Sequence, residues 1–473
     1  MNLKTQVLTG VKWNTANRII SISIGIIQLA ILTRLLDKAD FGLIAIAMMV
    51  IEFTNIFSDL GFTTAIIHKQ HISDSQYSSM FWMNLSMGIL IFLALCLLSP
   101  FISSFYTEDR LRIIIPLLSM QVVMNGFGKM FQTIKTKELD FELISKTGIY
   151  ATVSSFIVTI ILALNHFGIY SLVVGQLLKT ALNQFVFSVA GFKSHKISFH
   201  CNFGEIKDIA KIGGYQLGAQ ILDFVSSRID IFLIGKFFSL EDLGLYNIAK
   251  NLVFTIYQQT MSPIKDVVMS AFAKIQNDAE NLKSSFARIM NIMSAINGPI
   301  YTILLVFASP IVSILYASEY SEVSVFLQIL SPWGFMASVV CLAGMVDVAK
   351  GRTDLGYRWT WVRVLMNTFC IFTACQINVS AIAAMQTILG LISIPLYYNI
   401  VIAKILPVSF KDYLSYSSKN GLYALICGAP FAFIVSMAEP SLYVSIIMMI
   451  LYPFLYCASQ WSFFKDAWDT FRQ

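Results

Sequence analysis

Apolar runs, each long enough to cross a ~30 Å hydrocarbon layer as a helix, alternate along the chain with short polar segments. A window of about 19 residues places spans near 13–35, 41–66, 77–99, 111–131, 142–164 and 167–191. A polar stretch with Lys193, Lys196, Glu205, Lys207 and Asp208 follows. Beyond it, spans fall near 211–236, 243–271, 284–309, 323–347, 356–376, 379–404, 418–438 and 441–464, about fourteen transmembrane helices in all. The ten-residue alternation of a membrane β-barrel is missing from these runs. The pattern predicts an all-α polytopic membrane protein. The first span has no small-residue cleavage site at signal-peptide distance and is expected to stay uncleaved.

The polar positions inside the spans are periodic. Asn14, Arg18, Ser21, Gly25 and Gln28 recur at steps of four, three, four and three, which is one helical face. A gapless shift of about 202 residues lays Gln216, Gln220, Asp223, Ser227 and Asp230 on the same positions. The same shift aligns Leu35–Ala47 with Phe237–Ala249, placing Asp40 on Asp242 and Gly42 on Gly244. Six spans separate the copies, so both run the same way through the membrane. Parallel repeats commonly make two bundles that rock about a shared site. The expected organisation is an N-lobe over 1–210, a C-lobe over 211–404 and two added helices over 405–473, with a central cavity between the lobes. For Ser21, Gly25 and Ser227 helix packing is the simpler reading. For Arg18, Asp223 and Asp230 the cost of a charge at depth, about 2.5–3.5 kcal/mol on the insertion scale, favours an aqueous face.

Composition agrees with this picture: 56% of the 473 residues are hydrophobic and 13% charged, against about 25% charged in soluble domains. The net charge of +6 is spread thinly, which argues against a nucleic-acid partner. It reports topology instead. With the N-terminus inside, the inner segments hold about twenty Lys and Arg, and the outer loops hold Arg34, Lys38, Arg110, Arg112 and Lys236. Both termini are therefore expected to be cytoplasmic. The seven cysteines form no CxxC pair, and most fall in apolar segments, which predicts buried free thiols.

Charges at membrane depth are the candidate chemistry. Glu52, Asn55 and Asp59 share a face of the second span, and Lys179 sits at the depth of Glu52. The pair is either a salt bridge or a cation site with a titratable carboxylate. Arg228, Lys250 and Arg363 are further deep cations. Fixed cations lining a cavity suit a pyrophosphate, whose oxygens take charge-assisted hydrogen bonds. There is no P-loop, no H-E-x-x-H and no G-x-S-x-G. His68 and His71, without further ligands beside them, read as a solvated loop.

Gly10-Val11-Lys12-Trp13, Ser58-Asp59-Leu60-Gly61, Phe81-Trp82-Met83-Asn84, Lys137-Glu138-Leu139-Asp140-Phe141 and Ala271-Phe272-Ala273-Lys274-Ile275-Gln276-Asn277-Asp278 carry a resemblance. The chain resembles polysaccharide flippases of the colanic-acid exporter type, in the multidrug, oligosaccharidyl-lipid and polysaccharide exporter superfamily. The resemblance weakens after about residue 410. It implies a bacterial inner-membrane flippase, not an enzyme, moving an undecaprenyl-pyrophosphate-linked oligosaccharide by alternating access. No cofactor is implied beyond H⁺ or Na⁺ as coupling ion. The partners implied are the lipid-linked oligosaccharide, membrane lipid and a polysaccharide synthesis complex around a functional monomer. Arg18, Lys179, Lys250 and Arg363 are the expected pyrophosphate ligands. Glu52, Asp59, Asp223, Asp230 and Gln28 are the expected cavity-lining or ion-coupling groups. The rival readings are a cation-coupled multidrug exporter of the same superfamily, a membrane glycosyltransferase acting as polymerase or ligase, and a scaffold. Outer loops of about four to fourteen residues argue against the glycosyltransferase.

Overall fold

The computed structural model describes residues 3–58, 72–202, 207–438 and 441–461, together with Thr63, Ile66, Ile67, Gly204 and Lys465. Asp59, His68 and His71 lie outside the described residues. The described chain is helical throughout, without a strand. It divides into two compact units, Met1–Gly244 and Leu245–Gln473.

In the first unit the long helices are α1 (Leu3–Leu32), α2 (Lys38–Ser58), α3 (Asp74–Tyr106), α4 (Leu111–Lys137), α5 (Phe141–Leu164), α6 (Ile169–Ser194) and α7 (Lys207–Phe237). The next helix, α8 (Leu240–Lys274), starts at the end of this unit. The second unit continues with α9 (Ala279–Val306), the short α10 (Ala308–Leu315), α11 (Val323–Ala349), α12 (Thr353–Ala374), α13 (Val379–Tyr397), α14 (Phe410–Ala438) and α15 (Leu442–Ser459). A π-helical turn, Tyr398–Ile402, ends α13. Eleven of the described helices are long and apolar enough to cross a membrane. The other long ones, α7, α8 and α12, carry the charges that lower their mean hydropathy: Asp223, Arg228 and Asp230, then Lys250 and Lys265, then Arg358 and Arg363.

Local chemistry sets several boundaries. Ser73 and Gln76 form a capping box at the start of α3, and Asp140, Asp278 and Asn378 cap α5, α9 and α13 through backbone N–H groups. Large apolar side chains point outward, with Leu97 74%, Phe101 72% and Phe454 70% exposed. In water such faces would aggregate, whereas in hydrocarbon they are the solvated side. This is a multi-pass membrane protein. Its seven cysteines are free, but only Cys375 is buried, while Cys201 and Cys457 are exposed. The expectation of buried thiols is corrected because an apolar segment in a bilayer turns one side to lipid.

Most of the motifs singled out in the sequence are fold determinants. Phe141 lies against Gly10, so that α1 docks on α5, and Lys146 reaches over the Trp13 ring while its ammonium holds Glu142 at 2.7 Å. Leu139 takes a left-handed φ of 61°, and Asp140 then accepts from the Leu143 N–H. Trp82 donates its indole N–H to the Ser198 carbonyl at 2.9 Å and stacks on Phe199. Ser78 and Ser79 accept from the N–H groups of Ser198 and Asn202, which fastens the segment after α6 onto α3. Phe272 is buried in the apolar core of the second unit.

At one end of the first unit the α1–α2 turn, the α3–α4 turn and the end of α7 come together. Arg110 bonds Asp40 at 3.0 Å and Glu108 at 2.7 Å. Lys236 donates to the Phe105 carbonyl at 2.5 Å and sits over its ring. These are segments that the charge pattern places on one side. Here the two repeat copies touch. A methyl group on Gly42 would run into the Leu240 carbonyl oxygen, and one on Gly244 into the Lys38 carbonyl oxygen. Glycine is required at both positions by the closeness of the two backbones.

Candidate functional site: charges at membrane depth

α2 enters at Lys38, and Glu52 lies fourteen residues on, a rise of about 21 Å at 1.5 Å per residue. Its carboxylate meets the Arg228 guanidinium of α7 at 2.8 Å. Beside the pair, the rings of Phe53 and Phe224 stand 5.3 Å apart and those of Phe53 and Phe57 likewise 5.3 Å. The salt bridge weighed between Glu52 and Lys179 does not form. The reason is azimuth: α7 packs on α2 and turns Arg228 to Glu52, information that depth alone does not contain.

Lys179 is half-buried in the middle of α6 and makes no ion pair or side-chain hydrogen bond with a described residue. It lies in a polar lane that runs along α6. Gln176 donates to Gln121 of α4 at 3.5 Å, Gln184 donates to Asn125 at 3.0 Å, and Asn183 donates back to the Lys179 carbonyl. The side-chain oxygen of Gln184 and nitrogen of Gln121 are buried without partners among the described residues. Apart from Lys179, these residues are not among the expected site residues. Positions 176, 179 or 180, and 183 or 184 repeat at the helical interval, so the periodicity applied to the first span would have found this lane.

On α1, Arg18 and Gln28 are half-buried and Gly25 has nothing within 4 Å of where a methyl group would stand. Ser21 hydrogen-bonds Asn17 of its own helix and Ser227 the Phe224 carbonyl of its own helix. Among the described residues none lies within 4 Å of a methyl group at Gly25, and α1 packs mainly on α5. The matching face of α7 is not uniform: Asp223 and Ser227 are exposed, whereas Asp230 is fully buried and accepts from the Ile231 N–H at 2.9 Å. In the second unit Lys250 is buried with its ammonium 6.0 Å from the Tyr246 ring, and Arg363 is half-buried near Tyr257. The four expected phosphate ligands thus fall two in each unit, Arg18 and Lys179 in the first, Lys250 and Arg363 in the second.

The described residues form an all-helical membrane fold. It matches the lipid II flippase MurJ, inward closed conformation, with a TM-score of 0.75 at 15% identity over 97% of this chain and 99% of that one. An inward-facing multidrug resistance MATE family transporter of the MOP superfamily matches at 0.64, with 14% identity over 83% and 100% of the two chains. The chain belongs to the polysaccharide biosynthesis protein family, whose model matches residues 31–325. It is similar to the lipopolysaccharide biosynthesis protein WzxC of Escherichia coli (strain K12), 25% identical over 88% of this chain and 84% of that one. The teichuronic acid biosynthesis protein TuaB of Bacillus subtilis (strain 168) is also 25% identical, over 79% and 78%.

Proposed function

We propose that the protein is a flippase that carries an undecaprenyl-pyrophosphate-linked oligosaccharide from the cytoplasmic to the periplasmic leaflet of a bacterial inner membrane. It is a transporter and not an enzyme. The observation that carries the reading is Lys179, an ammonium in mid-helix without a counterion among the described residues. A cation at that depth costs about 2.5–3.5 kcal/mol and is kept where an anion visits. Membership of the polysaccharide biosynthesis family and likeness to a lipid II flippase support the class of cargo.

In this reading all fourteen long helices cross the membrane. They form two six-helix lobes over 1–210 and 211–404 with two helices over 405–473, and both termini are cytoplasmic. Arg18, Lys179, Lys250 and Arg363 converge on the pyrophosphate as the lobes rock, while the polyprenyl tail stays in lipid. Glu52, Asp59, Asp223 or Asp230 takes up H⁺ or Na⁺ on the return, with Gln28 lining the path. The protein works as a monomer beside the enzymes that build and polymerise the glycan.

The test is accumulation of lipid-linked oligosaccharide in cells depleted of the protein. Wild type restores export, and Arg18→Ala and Lys179→Ala at equal membrane abundance leave intermediates on the cytoplasmic side. Absence of any accumulation on depletion sinks the flippase reading in favour of drug export.

A further inference from the structure

The ion pair between Glu52 and Arg228 has four properties that a helix brace does not need. It is not enclosed: 38% of the Glu52 side chain and 21% of the Arg228 side chain are exposed. It is deep, since Arg228 lies nine residues from the end of α7 at Phe237, about 13 Å along the axis. It joins the two repeat copies once only, because the 202-residue shift puts Phe254 opposite Glu52 and Ile26 opposite Arg228, so the reciprocal pair has no charges. A brace inherited by duplication would recur in both copies. Finally, its cation is arginine, whose planar fork matches two phosphate oxygens as well as it matches a carboxylate.

We infer that Arg228 is a further phosphate-binding residue of the translocation path and that Glu52 is its resident counterion, displaced when the pyrophosphate arrives. This rests on the flippase reading and deepens it. At this depth an arginine without an anion costs about 2.5–3.5 kcal/mol. It can exchange one anion for another. The carboxylate thus keeps the empty site neutral, and the pyrophosphate, a dianion over its two phosphorus centres, outcompetes it through two charge-assisted bonds. Phe53, next to Glu52 in the chain, and Phe224, one turn before Arg228, hold their rings 5.3 Å apart, so α2 and α7 also meet through an aromatic contact. A neutral cargo has no charge to trade for either partner, so the pair also selects against it.

The experiment uses the purified full-length protein in detergent and inorganic pyrophosphate as probe, with affinity read by calorimetry. Glu52→Gln removes the competitor and is expected to tighten binding about tenfold, the equivalent of one ion pair of about 1.4 kcal/mol. Arg228→Gln is expected to weaken it by a similar factor, and Glu52→Gln with Arg228→Gln to match Arg228→Gln alone. The charge-swapped protein, Glu52→Arg with Arg228→Glu, keeps the bridge and the fold but moves the cation to α2. It is expected to lose flipping. Should Glu52→Gln not fold, Glu52→Asp shortens the reach of the carboxylate and is expected to tighten binding by a smaller factor. Equal pyrophosphate affinity in wild type, the folded Glu52 variant and Arg228→Gln, or full flipping by the charge swap, overturns the exchange and leaves a brace. If wild type binds no pyrophosphate but binds a cationic dye, the flippase reading itself fails.

Discussion

The starts of α2 and α8 are the same thirteen-residue pattern written twice, and the molecule uses them differently. Both bring a glycine against the other's backbone, Gly42 on the Leu240 carbonyl and Gly244 on the Lys38 carbonyl. Both carry an aspartate two residues before that glycine. In the first copy Asp40 is buried and takes the Arg110 guanidinium at 3.0 Å. In the second, Asp242 stays at the surface of its own first turn, accepting from the Ser239 hydroxyl at 2.6 Å while its N–H donates to the same hydroxyl at 3.1 Å. The part that is steric and backbone-defined is the same in both helix starts. The polar partner has been free to diverge, from a bridge between segments to a cap within one.

The largest effect is expected from breaking what the copies share. Gly42→Ala and Gly244→Ala each set a methyl group against a main-chain carbonyl, which no rotamer can relieve. Each should cost about 3 kcal/mol, the upper end for overpacking, seen as a lowered melting temperature in detergent. A melting curve equal to wild type for either variant would show that the two helix starts are separate. Next comes what they do not share. Arg110→Ala strands Asp40 and should cost about 2 kcal/mol, discounted from a fully buried pair because 41% of the Arg110 side chain is exposed. Adding Asp40→Asn should return part of that loss, whereas Asp242→Asn alone should change little. Ser239→Ala removes an N-cap and should cost about 1 kcal/mol. Asp37→Ala at the equivalent position should cost less, since the Asp40 N–H is met there by the Asp37 carbonyl. The smallest effect concerns pH. The hydrogen bond that Arg110 donates to Glu108, foremost, and the charges of Glu108 and Asp40 raise the Arg110 guanidinium above its usual range. A raised value means its contribution is present below the unfolded value and lost only above it. From the arginine side, the stability gap between wild type and Arg110→Ala should therefore stay flat from about pH 6 to pH 9. A gap that closes towards pH 9 would refute this.

The repeat and its glycines were legible because a close backbone contact leaves a trace in residue type. So were the motif residues Phe141, Asp140 and Trp82, whose partners lie at helix ends where chain connectivity narrows the choices. The partner of Glu52 was not. Distance along a span gives height in the membrane, which made Lys179 a natural match, but the packing of α7 against α2 decides which way a side chain looks. Asp230 shows the same gap, since a position in a polar stripe turns out buried when a neighbouring helix covers that turn. The α6 lane of Gln176, Lys179 and Gln184 has a readable period as well, but its amide partners, Gln121 and Asn125, sit on another helix, which a period within one span does not identify.

The contact at Gly42 and Gly244 is reciprocal: residue 42 meets residue 240, and residue 244 meets residue 38, each displaced by the same 202 positions. That is the geometry of an isologous interface between two identical subunits. A half-length chain could make this contact with a second copy of itself, but it would carry every substitution twice. A lone Glu52 facing a lone Arg228 is open only to a chain in which the two halves have been joined and can mutate one at a time.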